Sequence, residues 1–189
     1  KTYVSMFLCG SKNHLQAVLF SLAVQTLTAQ SISKVWVADN GNGTYKNPVI
    51  HADYSDPDAI RVGDDYFMIS SSFNHSPGLT ILHSKDLVNW KLTGHALKKQ
   101  IPEEQFNKVQ HGGGVWAPSI RYHHNEFYIY YPNPDFGIYL IKAKNINGPW
   151  TEPVMVDAGK GLIDPCPLWD ENGRVYLVHA YAGSRAGIK

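Results

Sequence analysis

The stretch DPDAIRVGDDYFMISS, residues 56–71, is a hairpin written in sequence. A proline opens a short apolar segment, Gly63-Asp64-Asp65 supplies a polar turn, and an aromatic and β-branched run returns. The same plan recurs in APSIRYHHNEFYIYY (117–131) and in DPCPLWDENGRVYLVHA (164–180). A second motif follows the first two copies: GLTILHSKDLVNW (78–90) and GIYLIKAKNINGPW (137–150) each run from Gly through an apolar strand to Lys, a polar turn and Trp. Two hairpins per repeat make four short antiparallel strands, which is the composition of a propeller blade. Pro57, Pro118 and Pro165 recur near the roughly 40–50-residue interval of such repeats. No segment reads as a helix that would interrupt the series.

The sequence therefore predicts an all-β chain of the β-propeller type, with two complete blades and a third that breaks off after LVHAYAGSRAGIK (177–189). An open ring leaves sheet edges unpaired, so the chain is expected to be part of a longer protein. With 189 residues, 43% hydrophobic and 12% aromatic, it can bury a substantial core. Seventeen basic residues against sixteen acidic ones, with no basic run, argue against nucleic acid as a partner. Eleven Tyr and five Trp offer apolar faces that suit sugar rings as well as a core.

The segment SKNHLQAVLFSLAVQTLTAQ (11–30) has Lys12 ahead of an apolar run and small residues up to Ala29. It resembles a secretory leader cleaved before Gln30; an amphipathic N-terminal helix is the alternative. The apolar run is too short to span a membrane. The expected organisation is a leader over 1–29, a lead-in over 30–46 and the propeller segment over 47–189, in a secreted, periplasmic or cell-surface bacterial protein. Cys9 would leave with the leader, so Cys166 would stand alone, and no zinc-ligand spacing exists.

In a propeller the innermost strands surround one axis, so residues at the same repeat position converge. Asp56 and Asp164 hold one such position, before Pro57 and Pro165. Two carboxylates facing one cavity are what glycoside hydrolysis requires; an Asp-Pro step that serves only as turn chemistry is the other reading. The proline is expected to hold each Asp in an extended conformation. Trp116, approached by Gly112-Gly113-Gly114, is a candidate sugar platform or a core residue. Phe73 and His75 are candidates for the pocket wall. Trp90 and Trp150 read as core, and His123-His124 as a solvated turn.

Taken together, DYSDPDAIRVGDDYFMISSSF, PGLTILHSKDLVNW, GGGVWAPSIRYHHNEFYIYY and GLIDPCPLWDENGRVYLV resemble successive signatures of glycoside hydrolase family 43, in order over residues 47–189. The resemblance implies a five-bladed β-propeller that hydrolyses arabinofuranosyl or xylosyl linkages of plant cell-wall polysaccharides with inversion. Such a mechanism has a general base and a general acid roughly 6.5–9.5 Å apart. It implies Asp56 as the general base, Asp164 as a substrate-side residue, and a general-acid Glu beyond Lys189. It places the pKa-tuning Asp at position 133, where this chain has Asn; Asp135 is the candidate substitute. An oligo- or polysaccharide is the implied partner. No cofactor is implied with certainty, and a structural calcium would take its ligand from a later blade. Without the acid, the 189-residue chain alone is expected to be inactive. The alternatives are a carbohydrate-binding propeller without catalysis, which an amide at 133 would favour, and a retaining, fructan-cleaving relative.

Overall fold

A computed structural model describes residues 35–187, and the leader reading over 1–29 lies outside them. Among the described residues the chain is all-β apart from two four-residue helices, α1 (Glu103–Phe106) and α2 (Gly183–Ala186), that the hydrophobic pattern did not announce. Strands β1 (Asp58–Val62), β2 (Asp65–Ile69), β3 (Gly78–Ser84) and β4 (Lys91–Leu97) form one antiparallel sheet in chain order. Strands β5 (Ser119–His123), β6 (Glu126–Asn133), β7 (Gly137–Ala143) and β8 (Val154–Ala158) form a second sheet of the same order. Strands β9 (Leu162–Trp169) and β10 (Val175–Tyr181) pair as a third. All three sequence-predicted hairpins are present.

The turns follow their chemistry. Val62 pairs with Asp65 across Gly63-Asp64, and Gly63 takes a positive φ of 62°. His123 pairs with Glu126 across His124-Asn125, whose φ angles of 48° and 60° give the doubly left-handed turn that matches strand twist. The histidine pair is more than solvated surface, because the His123 ring stacks on Trp169 with centroids 4.8 Å apart.

Along β6, Phe127, Ile129 and Tyr131 join a core with Ile69, Leu79 and Ile81 of the first sheet and with Val115 of the loop before β5. The alternate residues Tyr128 and Tyr130 pack instead with Leu162, Trp169 and Leu177 of the third sheet. In β7 the same division separates Tyr139 and Ile141 from Ile138 and Leu140. The second sheet thus lies between two cores, which is why its strands read as unbroken apolar runs rather than alternating ones. Trp150 packs on the first core, while Trp90 is half-buried outside it. The first strands of the sheets, β1, β5 and β9, are neighbours in space, so the segments that begin at the two Asp-Pro steps converge.

Candidate active site

Asp56 and Asp164 are not extended, contrary to the expectation from the prolines that follow them. Both adopt left-handed φ angles, 49° and 53°. Among residues with a Cβ, Asp is one of the few that tolerate this region, and a fixed partner helps to hold it there. For Asp56 that partner is Ser71, whose hydroxyl donates to Oδ2 at 2.6 Å, while the Ser71 amide donates to the Ser55 carbonyl at 3.0 Å. The end of β2 thereby clamps the residues before β1.

Asp164 senses the charge of Asp56. Asp164 keeps substantial solvent contact. Partial desolvation, reinforced by the nearby charge of Asp56, nevertheless raises its pKa above the ordinary carboxyl value. The two acids, a hundred residues apart in sequence, thus lie close enough to interact electrostatically.

Asn133 has a different surrounding from the one expected of a tuning position. It is 3% exposed, and its side-chain NH2 donates to the carbonyls of Gly113 at 2.9 Å and Gly114 at 3.2 Å. Its Oδ1 accepts the Asp135 amide at 3.1 Å. Every hydrogen-bonding atom of the amide is used, and only an amide supplies donors on one side and an acceptor on the other. At the position where the resemblance expects the pKa-tuning Asp, this chain therefore has a residue that straps the glycine-rich loop. Asp135, the candidate substitute, is paired with Arg185, Nη2 to Oδ2 at 2.6 Å.

The strapped loop carries Trp116. Ser72 and Val115 exchange amide hydrogen bonds of 2.9 and 3.1 Å, and Gly114 donates to the Phe73 carbonyl at 3.0 Å. A Cβ on Gly114 would collide with the carbonyls of Ser72 and Phe73, so the close approach requires glycine. Trp116 is half-buried; its indole N–H donates to the Gly112 carbonyl at 3.0 Å. Phe73 meets it edge-on at 5.9 Å, and the Arg185 guanidinium lies 5.6 Å from the ring centroid. Phe73 and His75 share a cavity of about 310 Å³ with Gln100, Phe106, Lys108 and Gln110. Asp56 and Asp164 do not line it. His75 is exposed, with Nε2 3.3 Å from the Thr80 hydroxyl.

Sequence reasoning missed Ser71, Asp58, Arg121 and Arg185. Asp58 follows Asp56 by two positions and accepts from Arg121 Nη1 at 2.6 Å and from the Ile120 amide at 2.8 Å. Its place in an acidic cluster was visible, but its partner was not. Among the described residues no group of three or more His, Cys, Asp or Glu side chains is arranged to hold a metal ion, and no helix is long and apolar enough to cross a membrane.

The sequence model of glycosyl hydrolases family 43 matches residues 45–189. A beta-xylosidase of Formosa agariphila is 38% identical over 152 residues, which cover 78% of this chain and 26% of that protein. A non-reducing end alpha-L-arabinofuranosidase of Bacteroides ovatus is 41% identical over 126 residues, covering 65% and 23%. The crystal structure of a GH43 protein from Bacillus licheniformis superposes with a TM-score of 0.63 at 36% identity, over 72% of this chain and 29% of that one. An alpha-L-arabinanase of Cellvibrio cellulosa gives 0.53 at 29% identity, over 67% and 44%. The chain spans about a quarter of the length of the curated relatives it matches. The repeat-equivalent Asp-Pro steps, the sheet order and these matches agree: the chain belongs to glycosyl hydrolases family 43.

Proposed function

We propose that this chain carries the base side of an inverting glycosidase that releases xylosyl or arabinofuranosyl units from plant cell-wall polysaccharides. Its two four-stranded sheets are the first blades of a five-bladed propeller, β9 and β10 begin the third, and the leader-like residues 1–29 direct export. The adjacency of β1, β5 and β9, which brings the Asp56 and Asp164 steps towards each other, carries the reading.

Asp56 is the general base. Ser71 fixes one carboxylate oxygen and leaves the other to a water molecule. As that water attacks the anomeric carbon, Asp56 takes its proton. The bond to the leaving oxygen breaks on the opposite side of the ring, where a general acid from outside the described residues donates a proton. Because Asn133 carries no charge, Asp164 takes the task of tuning this acid, by like-charge repulsion across the site. Trp116 offers the sugar a hydrophobic surface at the rim. An amide at 133 is the feature that favours a carbohydrate-binding propeller without catalysis, and its strap role is compatible with either kind of propeller.

The test is hydrolysis of an aryl β-D-xyloside and an aryl α-L-arabinofuranoside by the full-length protein, with proton NMR of the first sugar released. Inversion predicts α-xylose as the first product of the β-xyloside. A first product of retained configuration would assign Asp56 to a nucleophile instead, and binding without hydrolysis of either glycoside would remove the enzyme reading.

A further inference from the structure

The innermost strands of the three sheets are joined by one side chain. Arg121, in the middle of β5, donates through Nη1 to Asp58 Oδ2 at 2.6 Å and to the Ile120 carbonyl at 2.6 Å. Through Nη2 it reaches Cys166 Sγ in β9 at 3.2 Å. Asp58 also accepts the Ile120 amide at 2.8 Å, so β1 is fastened to β5 by a charged pair and a backbone donor on one oxygen. Each anchor stands two residues beyond an acid of the candidate site. Asp58 follows Asp56 across Pro57, and Cys166 follows Asp164 across Pro165.

These placements give the network a mechanical meaning. Pro57 and Pro165 have fixed φ, so each acid is linked to its anchor by a short and stiff stretch of backbone. Arg121 holds both anchors from the strand between them. Its planar fork suits the task, because one guanidinium presents donors in two fixed directions, which a lysine ammonium on a flexible stem does not. The Arg121 and Asp58 side chains are 30% and 29% exposed, so the pair is partly shielded from solvent.

We propose that Arg121 is a positioning residue that sets the spacing of Asp56 and Asp164 by gripping Asp58 and Cys166. The inference rests on the reading of Asp56 and Asp164 as the active carboxylates. Releasing the grip lets β1 and β9 separate, which weakens the effect of Asp56 on Asp164 and moves the water-activating oxygen from its line of attack.

The test uses the full-length protein and the variants Arg121→Met, Arg121→Lys and Asp58→Asn, with melting temperature, kcat, KM and the pH profile of kcat/KM. Arg121→Met is expected to lower kcat about 10- to 100-fold, the scale of an ångström-sized misplacement, with KM changed less than about threefold. The basic limb of the profile, which reports the acid that Asp164 tunes, should move to lower pH. Arg121→Lys keeps one charged contact with Asp58 and should recover part of kcat. Asp58→Asn keeps an acceptor for the Ile120 amide and should shift the limb in the same direction, with the double variant no worse than Arg121→Met alone. A residue that only stabilised the fold would lower the melting temperature and leave kcat and the limb of the folded protein unchanged. That result in Arg121→Met and Asp58→Asn would overturn the proposal, as would a failure of both to fold. Asp56→Asn measured alongside separates the two levels: its inactivity keeps the carboxylate reading in place whatever Arg121 does, and parent turnover would end that reading by itself.

Discussion

Asn133→Asp distinguishes the strap from a tuning carboxylate. In the parent protein the side chain is buried, donates to two carbonyls at 2.9 and 3.2 Å and accepts one amide at 3.1 Å. The substitution keeps the shape and the acceptor but removes both donors. An ionised carboxylate there would face the lone pairs of Gly113 and Gly114 in a site largely closed to water. Two lost hydrogen bonds at about 1 kcal/mol each, with one or two more for the electrostatic conflict, give about 3–4 kcal/mol of destabilisation at neutral pH. For a domain of this size that corresponds to a fall of about 6–16 °C in melting temperature. The introduced acid can relieve part of the conflict by taking a proton, which restores one donor. Its pKa in the fold is thus raised, so stability is retained below the ordinary carboxyl range and lost as pH rises through the raised value. Melting temperatures of parent and variant between pH 4 and pH 8 should diverge with increasing pH, and glycosidase activity should fall with the loosened Trp116 loop. A variant as stable as the parent at pH 8 and more active would refute the reasoning and return the tuning role to position 133.

Gly114→Ala forces a Cβ against the Ser72 and Phe73 carbonyls, whereas at Gly113 it meets the movable end of Gln110; thermal melting should show a loss of about 5 °C or more for the first and little for Gly113→Ala. Asp164→Asn removes a carboxyl whose pKa is raised in the fold by partial burial and by Asp56. The parent's relative stability is present at low pH and declines as pH rises through the raised pKa, so the variant should melt above the parent at neutral pH. It should lose the advantage in acid, where both side chains are neutral, while turnover is strongly reduced throughout.

The hairpins were legible because each depends on neighbouring residues: Gly63-Asp64, and the alternation of Phe127, Ile129 and Tyr131 with Tyr128 and Tyr130, act within one local segment. The division of that run between two cores was less legible, since a strand buried on both faces shows no contrast in polarity. Repeat position was enough to pair Asp56 with Asp164, but not to give their backbone conformation. The rule for residues before proline describes an average, and here Ser71 holds Asp56 away from it. Position 133 shows what matching by place along the chain leaves out. Its surroundings come from a loop some twenty residues earlier, brought close by the Ser72–Val115 bridge, and no local pattern encodes that approach. Arg121 escaped notice for the same reason, because its partners lie on two other sheets.

The role of Asp56 as general base is tested most directly by kcat/KM of Asp56→Asn in the full-length protein on aryl xyloside and arabinofuranoside substrates. The amide keeps an acceptor for the Ser71 hydroxyl, so the melting temperature should stay within a few degrees of the parent. Turnover should fall by about two to four powers of ten, the usual contribution of a positioned general base. A folded Asp56→Asn protein that hydrolyses either substrate at the parent rate would contradict the assignment and, with it, the carboxylate pair on which the mechanism is built.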